Sequence, residues 1–160
     1  MVSETDLIHL KRCIALAEES LDAGDKPFGS VLVSAEGRVL QEDRNRTGGG
    51  DNTQHPEFAL ARWAANNMTP QARSAATVYT SGEHCAMCSA AHGWVGLGRI
   101  VYVASSAQHR GWLAEWGIQP GPVKAIPIQD VAPNVPVEGP VTELTDTIRA
   151  VHKRYFDKER

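Results

Sequence analysis

The chain has 160 residues, 42% hydrophobic and 22% charged, with a formal net charge of −3. That profile fits a single soluble globular domain (1–160) able to bury a core without disulfides, and it weighs against a folded nucleic acid as main substrate, because phosphate recognition draws on a basic face. Its apolar runs are too short to span a bilayer, its N-terminus lacks a secretory pattern, and its three cysteines offer no disulfide framework, so no membrane role and a cytoplasmic setting are expected.

Residues 5–23 read as an amphipathic helix, with Leu7, Leu10, Ile14, Ala17 and Leu21 at helical spacing. Ser3 and Asp6 form a candidate N-cap pair, and Gly24 a candidate stop. Cys13 falls near the apolar stripe and is expected to be buried and inert. Residues 29–34 and 38–41 form two candidate strands joined by the Ala35-Glu36-Gly37 turn. The loop Thr47-Gly48-Gly49-Gly50-Asp51-Asn52 is glycine-rich but lacks the Gly-Lys-Ser/Thr of a phosphate loop, so it reads as a connection. A helix follows over 55–67, then a strand over 76–80 and a helix opened by Cys85-Ala86-Met87-Cys88. A strand over 99–104, a short helix over 107–116 and a last strand over 123–128 come next. The proline-rich stretch 133–140 reads as a surface loop, and 141–156 as the closing helix. This alternation implies an α/β fold: a mixed sheet of about five strands with helices on both faces, three layers in all.

Two short motifs carry the chemistry. Gln54-His55-Pro56-Glu57 supplies one imidazole and a carboxylate two residues on, and Cys85 and Cys88 supply two thiolates. His55, Cys85 and Cys88 make three zinc ligands where zinc takes four, so one position is left for water, as in catalytic sites. Glu57 is placed to take a proton from that water. Both motifs fall at helix N-termini, whose partial positive charge favours thiolate. Two other readings compete at this level. A C-x-x-C at a helix start is also a redox layout, although it gives His55 and Glu57 no role. A closed structural site would need His92 or His84 as fourth ligand. His92 lies about 6 Å along the helix axis from Cys88, and His84 points around the helix from Cys85.

H-x-E followed by C-x-x-C resembles the zinc-dependent deaminases, and the wider chain resembles the cytidine deaminase-like superfamily. Pro27-Phe28-Gly29-Ser30-Val31-Leu32-Val33 is similar to the P-F-G-A-V-x-V strand of guanine and related nucleobase deaminases. Glu83 and Met87 match that group's E-P-C-x-M-C, and Asp51 stands four residues before the histidine as in its D-P-T-A-H. The resemblance implies a cytidine deaminase-like fold with one Zn2+ per chain on His55, Cys85 and Cys88, Glu57 carrying protons, and a homodimer. It implies hydrolytic deamination of a small amino-substituted heterocycle, guanine or a close analogue such as an aminotriazine first. A tRNA adenosine deaminase or a cytosine-type deaminase is the alternative. Asn45 would orient the ring and Phe28 would form an apolar wall. Trp112 and Trp116 are a candidate ring cap, more in keeping with core or interface, and Tyr155-Phe156 a candidate pocket closure. Two residues depart from the pattern. Pro56 replaces an alanine, which the first helical turn tolerates, and His84 replaces a proline, which puts an imidazole beside the site as a candidate substrate contact or proton relay.

Overall fold

The computed structural model describes residues 1–159. Its elements run α1 (Glu4–Asp22), β1 (Gly29–Val33), β2 (Val39–Arg44), a 3-10 turn (Thr47–Gly49), α2 (Pro56–Asn67), α3 (Pro70–Ala75), β3 (Thr77–Gly82), α4 (Ala86–Val95), β4 (Ile100–Ala104), α5 (Ser106–Glu115), α6 (Ile128–Val131), β5 (Val137–Glu138) and α7 (Thr142–Glu159). The strands form one sheet in the order β2-β1-β3-β4-β5. β1 runs antiparallel to both β2 and β3, while β3, β4 and β5 are parallel. Parallel neighbours require a crossover, and α4 provides the one from β3 to β4.

Side-chain alternation along the strands divides the interior in two. Val31, Val33, Tyr79, Val101 and Val103 point to a core completed by Leu10, Ile14 and Leu21 of α1, Trp112 of α5, and Leu144, Ile148 and Val151 of α7. Leu32 and Val78 point the other way, onto Leu60, Ala61 and Ala64 of α2. Helices thus cover both faces, and each fully buried leucine or isoleucine adds about 1.5–3 kcal/mol of transfer free energy. α1 approaches β1 very closely. A Cβ on Gly29 would stand 2.4 Å from the Cys13 carbonyl oxygen and 2.5 Å from Leu16 Cβ, so this strand start needs glycine. Cys13 itself is fully buried.

The start of α1 is anchored by charge. Ser3 and Asp6 form the capping box. Asp6 also accepts two hydrogen bonds from the Arg99 guanidinium (2.9 and 2.8 Å) and one from the Tyr79 hydroxyl (2.7 Å). Arg99 further pairs with Glu138 on β5, so one guanidinium ties α1 to the far edge of the sheet. The Arg99 hydrogen bonds outweigh burial and hold the Asp6 carboxyl well below the usual carboxylate range. A carboxylate depressed in the folded state stabilises above its unfolded pKa of about 4, and that stability is lost as the pH falls below it. Asp6→Ala leaves Arg99 with Glu138 alone and the Tyr79 hydroxyl without its acceptor, and is expected to cost about 2 kcal/mol at pH 7. Denaturant titrations of both proteins from pH 7 downward should show the gap narrowing below pH 4. A gap unchanged at pH 2.5 would remove Asp6 from this role.

The expected elements are present with two corrections. The last strand is not at 123–128: Val123 is exposed, Pro127 caps the short helix α6, and Ile128 is fully buried against Ile100 and Tyr102. The fifth strand instead lies inside the proline-rich stretch that reads as a loop, with Val137 opposite Ile100 and Glu138 opposite Val101. Proline is tolerated beside a short edge strand because half of an edge's backbone groups need no ladder partner. The apolar residues Val135 and Val137 supply its packing face. β2 also extends to Arg44, which delivers Asn45 to the end of the sheet. Among the described residues, no helix is long and apolar enough to cross a membrane.

Candidate metal and catalytic site

The chemistry gathers at the sheet end where β1 begins and β3 ends. His55 and Cys85 are the N-cap residues of α2 and α4, and Pro56 opens α2 at a position that needs no N–H donor. The two helices pack side by side, so their N-termini converge. His55 Nδ1 lies 3.6 Å from both Cys85 Sγ and Cys88 Sγ. Tetrahedral zinc with ordinary Zn–N and Zn–S bonds requires an N···S separation of about 3.6 Å, so the donor set fits that metal. Among the described residues these three form the one group of histidine, cysteine or acidic side chains able to hold a metal ion. The Cys85 thiol is drawn down to about 4, chiefly by its hydrogen bond with Cys88 and against burial, with His55 assisting. The cluster is thus prepared to hold a thiolate.

His92 takes no part. Its Nε2 lies 2.7 Å from the Gly98 carbonyl oxygen, which leaves the metal group with three protein ligands. His84 does not join the catalytic groups either: it is 1% exposed, and its ring packs edge-on against His92. Both of its ring nitrogens are buried without a hydrogen-bond partner. The proline-free segment before Cys85 instead carries a buried imidazole along the inner side of α4.

Glu57, on the first turn of α2, is 7% exposed. The Ser30 and Thr80 hydroxyls both donate to its Oε1, at 3.1 and 2.9 Å. Ser30 and Thr80 sit opposite each other in the β1–β3 ladder, which makes the sheet a fixed cradle for the carboxyl group. Glu57 also contacts Cys88, so its carboxyl lies against the metal ligands. Burial pushes the Glu57 pKa up, with His55 and the Thr80 hydrogen bond opposing. A carboxyl raised in this way holds a proton more readily than an exposed one.

Asn45 and Phe28 stand beside this group. The Asn45 N–H donates to the Phe28 carbonyl (3.0 Å), and Arg46 N donates to Gln54 O (3.0 Å), which brings Asn45 next to the turn leading into His55. Ser20 of α1 holds the segment from beneath by its hydroxyl, 2.8 Å from both Lys26 O and Asn45 O. The Asn45 side-chain oxygen already accepts from Thr47 N and Oγ1, so its amino group is the end left for a ligand. Trp112 lies in the core and stacks on Trp116, while Phe156 lies against Trp116. Two surface grooves, along α1 beside Lys11 and Glu18 and beside Trp94 and Pro133, share no residue with the site.

Sequence reasoning missed the two hydroxyls that hold Glu57, the role of Glu83, and a histidine pair. A hydroxyl on a strand gives no signal until the ladder register is known. Glu83 accepts from Ser106 N and Ile128 N, both at 2.9 Å, and so pins the starts of α5 and α6 two residues before the first cysteine. The pair is His109 of α5 and His152 of α7, far apart in sequence and 4.7 Å apart between ring centroids.

Comparison with known proteins agrees with this geometry. A probable cytosine deaminase of Schizosaccharomyces pombe is 36% identical over 105 residues, covering 66% of this chain and 64% of that protein. The guanine deaminase of Bacillus subtilis is 35% identical over 97 residues, covering 59% of this chain and 62% of that protein. The chain thus spans just under two thirds of the length of these relatives. A solved guanine deaminase from Nitrosomonas europaea superposes with a TM-score of 0.71 over 97% of this chain and 85% of its own, at 18% identity, a likeness of fold. The family described as the cytidine and deoxycytidylate deaminase zinc-binding region matches residues 3–104, a span that holds His55, Glu57, Cys85 and Cys88. The chain belongs to this zinc-binding deaminase family.

Proposed function

We propose that the protein is a hydrolytic deaminase of a small amino-substituted heterocycle, a free nucleobase, with guanine or a close analogue as first candidate. The observation that carries the reading is the placement of Glu57: a buried carboxyl, cradled by two hydroxyls and near the three residues that would hold a zinc. His55, Cys85 and Cys88 would hold the zinc, which when bound supplies the Lewis acidity that makes water a nucleophile near neutral pH. Glu57 takes a proton from the attacking water and gives it to a ring nitrogen. It then passes the second proton to the amine, so that a C–O bond forms, the C–N bond breaks and ammonia leaves. Asn45 orients the ring and Phe28 forms an apolar wall.

Guanine stands first because the Phe28 motif is similar to that of nucleobase enzymes. The likeness to a probable cytosine deaminase supports cytosine as second candidate. The net charge of −3 argues against a tRNA substrate. The test is ammonia release by the zinc-loaded protein from guanine, cytosine, adenine, aminotriazines, the nucleosides of the three bases and a tRNA anticodon arm. Release from a free base is the expected result. Release from nucleosides alone, or from a tRNA anticodon arm alone, would overturn it.

A further inference from the structure

His109 and His152 have no part in the reaction described above, yet they lie within reach of it. Phe28 makes edge contacts with both rings, at centroid distances of 5.7 Å to His109 and 4.9 Å to His152. On its other side, Phe28 Cε1 is 3.2 Å from where a Cβ on Gly82 would stand. The Gly82 carbonyl lies 3.0 Å from the Thr80 hydroxyl that holds Glu57. Phe28, the Gly82 backbone and the Thr80 hydroxyl thus form a continuous run of contacts from the histidine pair to Glu57.

The pair also holds unused polarity. His152 is 2% exposed, and both His109 Nε2 and His152 Nδ1 are buried without a hydrogen-bond partner. An unsatisfied buried nitrogen costs about 1–3 kcal/mol, and a native fold retains such groups where a bound partner completes them. The catalytic groups are equally enclosed, with Glu57 at 7% and Asn45 at 2% exposure. The unpartnered nitrogens and the proposed catalytic groups are thus alike in being enclosed by protein. Trp112 backs the pair, 6.4 Å from His109 and 6.1 Å from His152.

We propose that His109 and His152 are specificity-determining residues, reading the edge of the substrate ring with hydrogen bonds, and that the substrate is an uncharged heterocycle with adjacent donor and acceptor atoms on that edge, such as the N–H and C=O of a lactam. This rests on the base-deaminase reading above. Burial lowers His109 to about 4 and His152 well below its ordinary value, so both are neutral at pH 7. A neutral imidazole offers one N–H and one lone pair. Two of them complement a lactam and give a phosphate no counter-charge.

The experiment compares kcat, KM and bound zinc for the full chain and for His109→Phe, His109→Gln and His152→Leu, with guanine and cytosine as substrates. His109→Phe keeps the volume and removes the nitrogens. It is expected to raise KM about tenfold or more with little change in kcat, by losing hydrogen bonds that bind substrate and transition state alike. His109→Gln should recover most of that loss, which a role in packing alone would not produce. Should His152→Leu fail to fold, the two His109 variants carry the test. Active wild-type protein with KM within about twofold in His109→Phe overturns this inference alone. Zinc-loaded wild-type protein inactive on every base overturns the base-deaminase reading, and this inference with it.

Discussion

Glu57→Gln is expected to retain one zinc per chain and to lose ammonia release by a factor of about 10²–10⁴, the usual share of a positioned acid–base group. The variant suits the question because glutamine nearly matches the size of glutamate and can still accept from Ser30 and Thr80. Packing and metal binding then remain, and the ability to take a proton goes. Rapid-mixing measurement of product, beside metal analysis of the same sample, separates the two. Turnover near that of the wild type would remove Glu57 from the proton path. Loss of zinc in the variant would instead make the carboxylate part of the metal site's support.

Removing the metal should abolish activity and leave the fold. Among the described residues, His55 Nδ1 and the two sulfurs make up the ligand group, so Cys88→Ala is expected to bring zinc below about a tenth of an equivalent, since two remaining ligands fall short of the three a catalytic zinc site uses. Chelation of the wild type should give the same inactive state, with activity restored on adding zinc. The fold should persist because the two main cores are built from leucine, isoleucine, valine and alanine side chains across α1, α2, α7 and the sheet. α2 and α4 meet through their own side chains. The melting temperature should fall, because a ligand that binds only the native state stabilises it by mass action. Circular dichroism is the readout. Unfolding on chelation at room temperature would favour a structural zinc over an open catalytic one.

The parts of this molecule legible in its sequence are those whose signal is local. α1 announces itself by apolar spacing and by the Ser3–Asp6 cap, and both are present. The metal group was legible because its ligands come as two compact motifs, each at a helix start where geometry restricts the side chains. The fifth strand was not legible. It is two residues long, flanked by prolines, and exists because Val137 meets Ile100 across the sheet, a contact with no local trace. The packing of His84 was not legible either: its ring lies edge-on against His92, one helix turn beyond the cysteines, a contact its place beside Cys85 does not announce. His109 and His152 were invisible because only the packing of α5 beside α7 brings them together.

Glu83 gives the design of the site a further meaning. One of its carboxylate oxygens holds the first turn of α5 and the other holds α6, while the cysteine ligands follow directly along the chain. The helix bearing His109 and the start of α4, which bears the two cysteines, are therefore tied to a single residue, and the stretch between α5 and α6 is left outside that joint. The starts of two helices far apart in the chain thus share one carboxylate with the turn that leads into Cys85, so a change at Glu83 would reach all three at once.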